Sequence, residues 1–418
     1  MARLRRVRRT ALMAGMAILV GCSGAQNAQP NGSGTGAGPG PVSSSAVART
    51  AVAVTGPWRA WTKSLSAREA SGTCGATAHQ VVCSTAPDGL VGRSRATGAV
   101  TWSVPATGTG GKNGGLVVEA ADERAVTIGG RVLRAANLRT GRAAWTHRLP
   151  SRGSYLSIAA TPGTVYALGT GDSVPSEGFT DLALDAFRAS DGAPLWQKSV
   201  DADPTGGIAV IGNRVYTTDG KKVTARDART GDTVATSPSA LECPRLIFGG
   251  RYLVCAGSPL SAGDTFPPLR RLDPATLQPL ATAEDTGMKS ERGVISSDGV
   301  LVLHEDSAED PGGGAWNAYD LERHRRLWSY DTTSDEAGLA GGRFVTFTPA
   351  NASTRDRVIT IDLRAGPDGT GAAAPRIAAW CPQTKSGEYP LLIMPGGDSG
   401  HVVVEPRKHR ALRSIPLP

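Results

Sequence analysis

The chain has 418 residues, 40% of them apolar and 20% charged, a balance that fits a globular protein. Its formal charge of +8 falls to +3 once the five arginines among the first 21 residues, which include no acid, are set aside. A mildly basic body with no Lys/Arg run interleaved with aromatics excludes nucleic acid as the expected partner. Gly (53) and Pro (28) are abundant and apolar runs are short, which predicts many turns and an all-β chain.

The N-terminus reads as an export signal. Arg3, Arg5, Arg6, Arg8 and Arg9 precede TALMAGMAILVG, an apolar stretch too short to span a bilayer as a helix. It ends in Leu19-Val20-Gly21-Cys22, small residues before a cysteine, as in the lipobox of bacterial lipoproteins. Residues 1–21 are then a lipoprotein signal peptide, and Cys22 is the lipidation site, carrying diacylglycerol and palmitate. The alternative is an ordinary secretory signal with an incidental cysteine. Residues 22–50 follow, rich in Gly, Ser and Pro and almost uncharged, and read as a flexible tether. The expected location is the extracytoplasmic side of the cell membrane, held by the lipid.

From residue 51 to 418 one phrase recurs, A-x-D-x-x-T-G-x-x-x-W. It is read in GRSRATGAVTW (92–102), AANLRTGRAAW (135–145), AFRASDGAPLW (186–196) and ARDARTGDTVA (225–235). RLDPATLQPLA (271–281) and AYDLERHRRLW (318–328) follow, with degenerate copies at 360–366 and 403–409. Eight units near 45 residues apart give the period of a propeller blade. An acid at the third position accepts backbone N–H groups in a turn, Thr-Gly closes the turn, and the Trp docks on the neighbouring blade. Short apolar runs upstream supply the other strands, giving four per blade.

Trp61 looks like an outer-strand Trp with no phrase before it, while the last unit lacks its outer strand. Strand 58–64 is therefore expected to pair with 408–416 and close an eight-bladed ring, leaving no open edge.

The phrases resemble the repeats of the pyrroloquinoline-quinone-like propeller family, which includes quinoprotein alcohol dehydrogenases and an outer-membrane assembly lipoprotein. Trp102, Trp145, Trp196 and Trp328 match the family's docking Trp, and Trp61 takes that place in the closing blade. Ala235 and Ala281 depart from it, as does the insertion GPDGTGAAAP, and these departures predict looser interfaces in blades four, five and seven. A quinoprotein of this family holds its cofactor under a disulfide between adjacent cysteines, and this chain has no Cys-Cys pair. No catalytic residue, cofactor or metal is expected, and the protein is expected not to be an enzyme.

Cys74 with Cys83, and Cys243 with Cys255, flank neighbouring strands, and an exported protein permits two disulfides. Free buried thiols are the alternative, and Cys381 is left over. HEDSAEDPGGGAW (304–316) groups four acids, read as a solvated loop rather than a calcium site, and DADPTGG (201–207) is read the same way. Long connections at 169–181, 257–268, 305–314 and 349–356 fall between second and third strands and so crowd one face. Three functions are weighed. The first is a monomeric scaffold that binds another envelope protein on that face. The others are a binding module for a small ligand or cell-wall fragment in the channel, and a degenerate quinoprotein oxidoreductase.

Overall fold

Second strands of the repeats read as unbroken apolar runs, which is what burial on both faces requires. A computed structural model of the chain bears this out for Gln80–Thr85, Thr164–Thr170 and Val300–Asp306, whose residues are nearly all buried. Outer strands alternate instead, as in Pro194–Val200 and Ala143–Arg148, with one face in solvent. The structure describes residues 60–417 apart from 70–71, 108–112, 150–152, 171–181, 204, 239–240, 258–268, 282–291, 307–313, 333, 335, 349–356, 379–389, 394–400 and 407–410.

These strands form eight four-stranded antiparallel sheets arranged as the blades of a propeller. Seven sheets use four consecutive strands. Blade three runs Tyr155–Thr161, Thr164–Thr170, Leu182–Arg188 and Pro194–Val200. First strands of neighbouring blades touch one another from blade eight through blade six. The eighth sheet combines Pro390–Ile393, His401–Pro406 and Ala411–Pro416 with Trp61–Ser64 from the other end of the chain. Its register runs from Trp61 opposite Ser414 to Ser64 opposite Ala411, so the ring closes where the sequence placed the closure.

The phrase expected at 403–409 is not a turn between third and fourth strands. His401–Pro406 is the second strand of the blade, so Glu405 lies on a strand rather than at an acidic turn position. The third strand is Ala411–Pro416, and its fourth comes from the N-terminal side, so no turn joins the two. The small residue opposite the Trp is Ser414, which places the eighth unit at 414–416 rather than 403–409.

The core lies between blades. Val126, Leu133 and Trp145 of blade two pack with Tyr155, Val165 and Phe187 of blade three, and the other interfaces repeat this pattern. Antiparallel alternation sends first-to-second and third-to-fourth turns to one face and all other connections to the opposite face. The first set is mostly short, such as Gly212-Asn213 and Gly250-Arg251, with one long exception at 363–375 in blade seven. The second set includes the long segments at 171–181, 258–268, 307–313 and 349–356. These lie outside the described residues, but the strand ends they join all point to one side.

Candidate functional site

The repeated phrase builds an interblade clasp. Asp227 Oδ1 accepts the N–H groups of Arg229 (2.9 Å) and Thr230 (3.0 Å), and Asp273, Asp320 and Asp362 hold their turns the same way. Blade three carries Arg188 at this position and uses Asp191 instead, which accepts from Ala193 N–H and from the Arg188 guanidinium. A small residue lies directly across from each Trp: Gly92 opposite Trp102, Ala135 opposite Trp145, Ala186 opposite Trp196 and Ala318 opposite Trp328. A bulge follows each of these pairs.

Four of the five indoles donate to the next blade. The Nε1–H of Trp145 donates to Ala189 O (2.9 Å), that of Trp196 to Ala228 O (3.0 Å) and that of Trp328 to Leu363 O (2.9 Å). Across the closure, Trp61 donates to Arg95 O (2.7 Å). All four acceptors are the residue after the acidic position. Trp102 departs from this, donating to Gln80 Oε1 of its own blade (3.2 Å). The phrase glycine of the next blade lies under the ring. A methyl built on Gly192 would come within 2.6 Å of Trp145, and one on Gly231 within 2.6 Å of Trp196. These glycines also have φ of +72° and +73°, so two independent demands fall on one position.

The interfaces of blades four and five, which lack the Trp, are filled rather than loose. Ala235 faces Leu277, which takes the glycine position at φ +59° and is fully buried. Tyr216 Oη (2.8 Å) and Arg214 Nη1 (3.0 Å) donate to Pro274 O in place of an indole. Between blades five and six the donor to Leu321 O is Arg271 Nη1 (2.7 Å). Arg271 stands where the other blades have Gly, Ala, Thr or Ser, and it lies with Arg251 against the Tyr252 ring. Leu277→Ala should therefore cost about 3 kcal/mol, read as a lower urea midpoint. An unchanged midpoint would show that this interface is as loose as its missing Trp suggests.

Both expected cysteine pairs are disulfides. Cys74 and Cys83 are direct cross-strand partners, and Cys243 joins Cys255 of the second strand of blade five. Closing loops of 9 and 12 residues is worth about 3 kcal/mol each. Cys83→Ser with Cys74→Ser should lower stability by that amount, measured by thermal melting, and reduction of the native chain should approach the sum of both losses. Cys22 and Cys381 lie outside the described residues.

The acidic segments have turn and strand roles. Glu305 is buried on a second strand and accepts from Tyr319 Oη (2.7 Å), Asp306 faces His304 Nδ1 (3.3 Å), and residues 309–310 are not described. Asp203 accepts from Thr205 N–H and Oγ1 within its own turn. Among the described residues no three His, Cys, Asp or Glu side chains converge as metal ligands. Trp316, not singled out from sequence, is a buried anchor of blade six and donates to Ser334 O (2.9 Å). It sits on a third strand outside the repeated phrase, so periodicity gave no signal for it.

One acid is held at a cost. Asp185 is buried between blades two and three, where burial pushes its carboxyl above the usual range, although Gln197 Nε2 (2.7 Å) and His147 pull it back. A raised folded value means that stability is lost as pH rises past the ordinary carboxylate range. Asp185→Asn, which keeps the bond to Gln197, should melt higher than the native protein near pH 8. The gain should vanish below about pH 4, where both forms are neutral. A variant that melts lower at pH 8 would contradict this.

The family model described as outer membrane protein assembly factor BamB matches residues 50–246 and 181–366. No curated protein matches the chain. Among solved structures, BamB from Moraxella catarrhalis superposes with TM-score 0.56 at 14% identity, covering 85% of this chain and 98% of its own. The computationally designed Ika8 protein does so with TM-score 0.59 at 15% identity, covering 85% and 98%. Quinohemoprotein alcohol dehydrogenase ADHIIG from Pseudomonas putida HK5 follows with TM-score 0.52 at 13% identity, covering 86% and 76%. At such identities the solved structures share the fold alone. The model match covers most of the chain, and the protein belongs to the family of pyrroloquinoline-quinone-like β-propellers that this model describes.

Proposed function

We propose that the protein is a lipid-anchored scaffold on the extracytoplasmic side of the membrane, holding an envelope protein against its long-connection face. The observation that carries this reading is the asymmetry of the ring. One face has turns as short as two residues and a single long connection, 363–375, and the other joins its strands through four long segments, 171–181, 258–268, 307–313 and 349–356. Connections of that length on one side of a rigid disk are where binding residues concentrate. The match to a model of an assembly factor supports a binding role over a reactive one. The lipobox-like LVGC and the tether supply the anchor, dividing the chain into 1–21, 22–50 and 51–418. No nucleic acid enters this account, and the propeller acts as a monomer without a cofactor.

The test is crosslinking of the intact protein in its native membrane, followed by identification of what co-purifies. A single stoichiometric partner, lost when 258–268 and 307–313 are cut to short turns, is the expected result. No partner above background would overturn the scaffold. Radiolabelled palmitate should enter the chain and should be absent from Cys22→Ser.

A further inference from the structure

Exposed apolar side chains are distributed unevenly between the two faces of the ring. Among the described residues the large ones are Val100, Leu195, Val234, Phe248, Leu280 and Ile377, each between 38% and 54% exposed. None of them belongs to an interblade core. Five lie toward the short-turn face, where fourth strands begin. Val100 opens Val100–Val104, and Leu195 and Val234 are the second residues of Pro194–Val200 and Thr233–Thr236. Leu280 stands opposite Arg271, just before the Asp273 turn. Phe248 is one pair from the Gly250-Arg251 turn, since Gly249 faces Tyr252 and Phe248 faces Leu253. Ile377 is the exception, opposite Ile359 near the start of its third strand.

Cations stand at the same level. Arg142, Arg229 and Arg325 are exposed at the short turns, and among the described residues none of them has a carboxylate within ion-pair distance. Acids at these turns are already held: Glu123 by Arg139, Asp191 by Arg188, Asp232 by Lys198 and Glu322 by Arg251. The chain also enters the ring on this side. Trp61 stands opposite Ser414 and Ser64 opposite Ala411, and Ala411 follows a connection of the long set, so Trp61 is the short-turn end of its strand. Its indole reaches Arg95 O in the short turn of blade one.

A single exposed Leu or Val needs no partner. Five on one side of a disk, level with unpaired guanidiniums, have the composition of a bilayer-contacting surface. Apolar side chains enter the boundary between headgroups and acyl chains, and guanidiniums meet lipid phosphates. These residues are spread over separate blades rather than gathered in one groove, which suits a planar partner and not a peptide or a small ligand.

We propose that the short-turn face docks on an anionic lipid surface, with Leu195, Val234 and Phe248 entering the interface and Arg142, Arg229 and Arg325 on phosphates. The inference rests on the lipid-anchored reading and adds an orientation to it. The ring lies with its short turns on the membrane, and the long-connection face is turned away from the lipid toward the partner.

The test reconstitutes the intact chain, purified from its membrane, into vesicles of phosphatidylcholine with about one third phosphatidylglycerol. A fluorescent residue replaces Asn213 on the short-turn face or Lys221 on the other, and a lipid carrying a headgroup quencher reads its distance from the bilayer. Quenching at position 213 should exceed that at 221 about threefold. Leu195→Asp with Val234→Asp, at exposed positions outside the cores, should keep the melting temperature and remove the difference. Arg142→Gln with Arg229→Gln should reduce it, as should vesicles of phosphatidylcholine alone. A chain retained by the vesicles but quenched equally at both positions would overturn the docking and leave the anchor standing. So would a Leu195→Asp, Val234→Asp chain quenched at 213 as strongly as the native one. A chain that the vesicles do not retain would overturn the anchor, and the docking with it.

Discussion

Arg95→Ala should cost about 4 kcal/mol and lower the melting temperature by about 5 °C, an unusually large loss for a residue in a surface turn. Arg95 is only 1% exposed and stitches blade one to blade eight. Its Nη1 donates to Thr77 O (2.9 Å), its Nη2 to His401 O (3.0 Å) and its Nε to His401 Nε2 (3.1 Å). Burial pulls its pKa down to about 10, so it still carries its charge at neutral pH. Its own carbonyl receives the Trp61 indole, so one residue takes part in both halves of the seam. Removing the side chain takes three donors from buried acceptors, and an unmade buried hydrogen bond costs more than a made one gains. Arg95→Lys should recover less than half, because an ammonium lacks the planar fork that reaches three acceptors. A melting temperature within 1 °C of the native value would show that the ring is held shut elsewhere.

Gly192→Ala should destabilise by about 3 kcal/mol, whereas Gly212→Ala should cost only about 1 kcal/mol. Both glycines have left-handed backbone, at φ of +72° and +60°, so both substitutions carry the same backbone penalty. They differ in surroundings. A methyl at Gly212 meets nothing within 4 Å, while one at Gly192 collides with the Trp145 ring. The difference between the two variants, read from urea midpoints, isolates the clasp from the turn. It should disappear when Trp145→Ala is made in the background, although that change alone costs about 4 kcal/mol. Equal losses in the two single variants would mean that the ring and the glycine do not press on each other.

Much of the fold was legible because a propeller writes its period into the chain. A residue needed for a turn, a small residue under a ring and the ring itself recur at fixed offsets, as Ala186, Gly192 and Trp196 show. Closure was legible from a mismatch, an outer-strand Trp61 without a phrase. The eighth unit was misplaced for the same reason. His401–Pro406 has the strand-like wording that precedes a phrase elsewhere, but the ring is cut before the turn that would follow the third strand. Periodicity alone does not reveal where a ring is cut. Nor does it reveal substitution of function. Arg271 and Tyr216 take over an indole's hydrogen bond from other strands, so Ala281 and Ala235 looked like vacancies. Leu277 fills its interface from the position of a glycine, which only the backbone conformation exposes.

Function is carried by the connections, where the sequence has no period to read. What the ring does dictate is which side they occupy. Asn213 and Lys221 are exposed at opposite ends of blade four, Asn213 in the short turn before Arg214–Thr218 and Lys221 in the connection after it. A photo-crosslinking residue at each position, in the membrane-bound protein, compares the two faces within one blade. Adducts to a single envelope protein from position 221, with none from position 213, are what a scaffold with a long-connection binding face predicts. Adducts from 213 alone, or equal labelling from both, would contradict it.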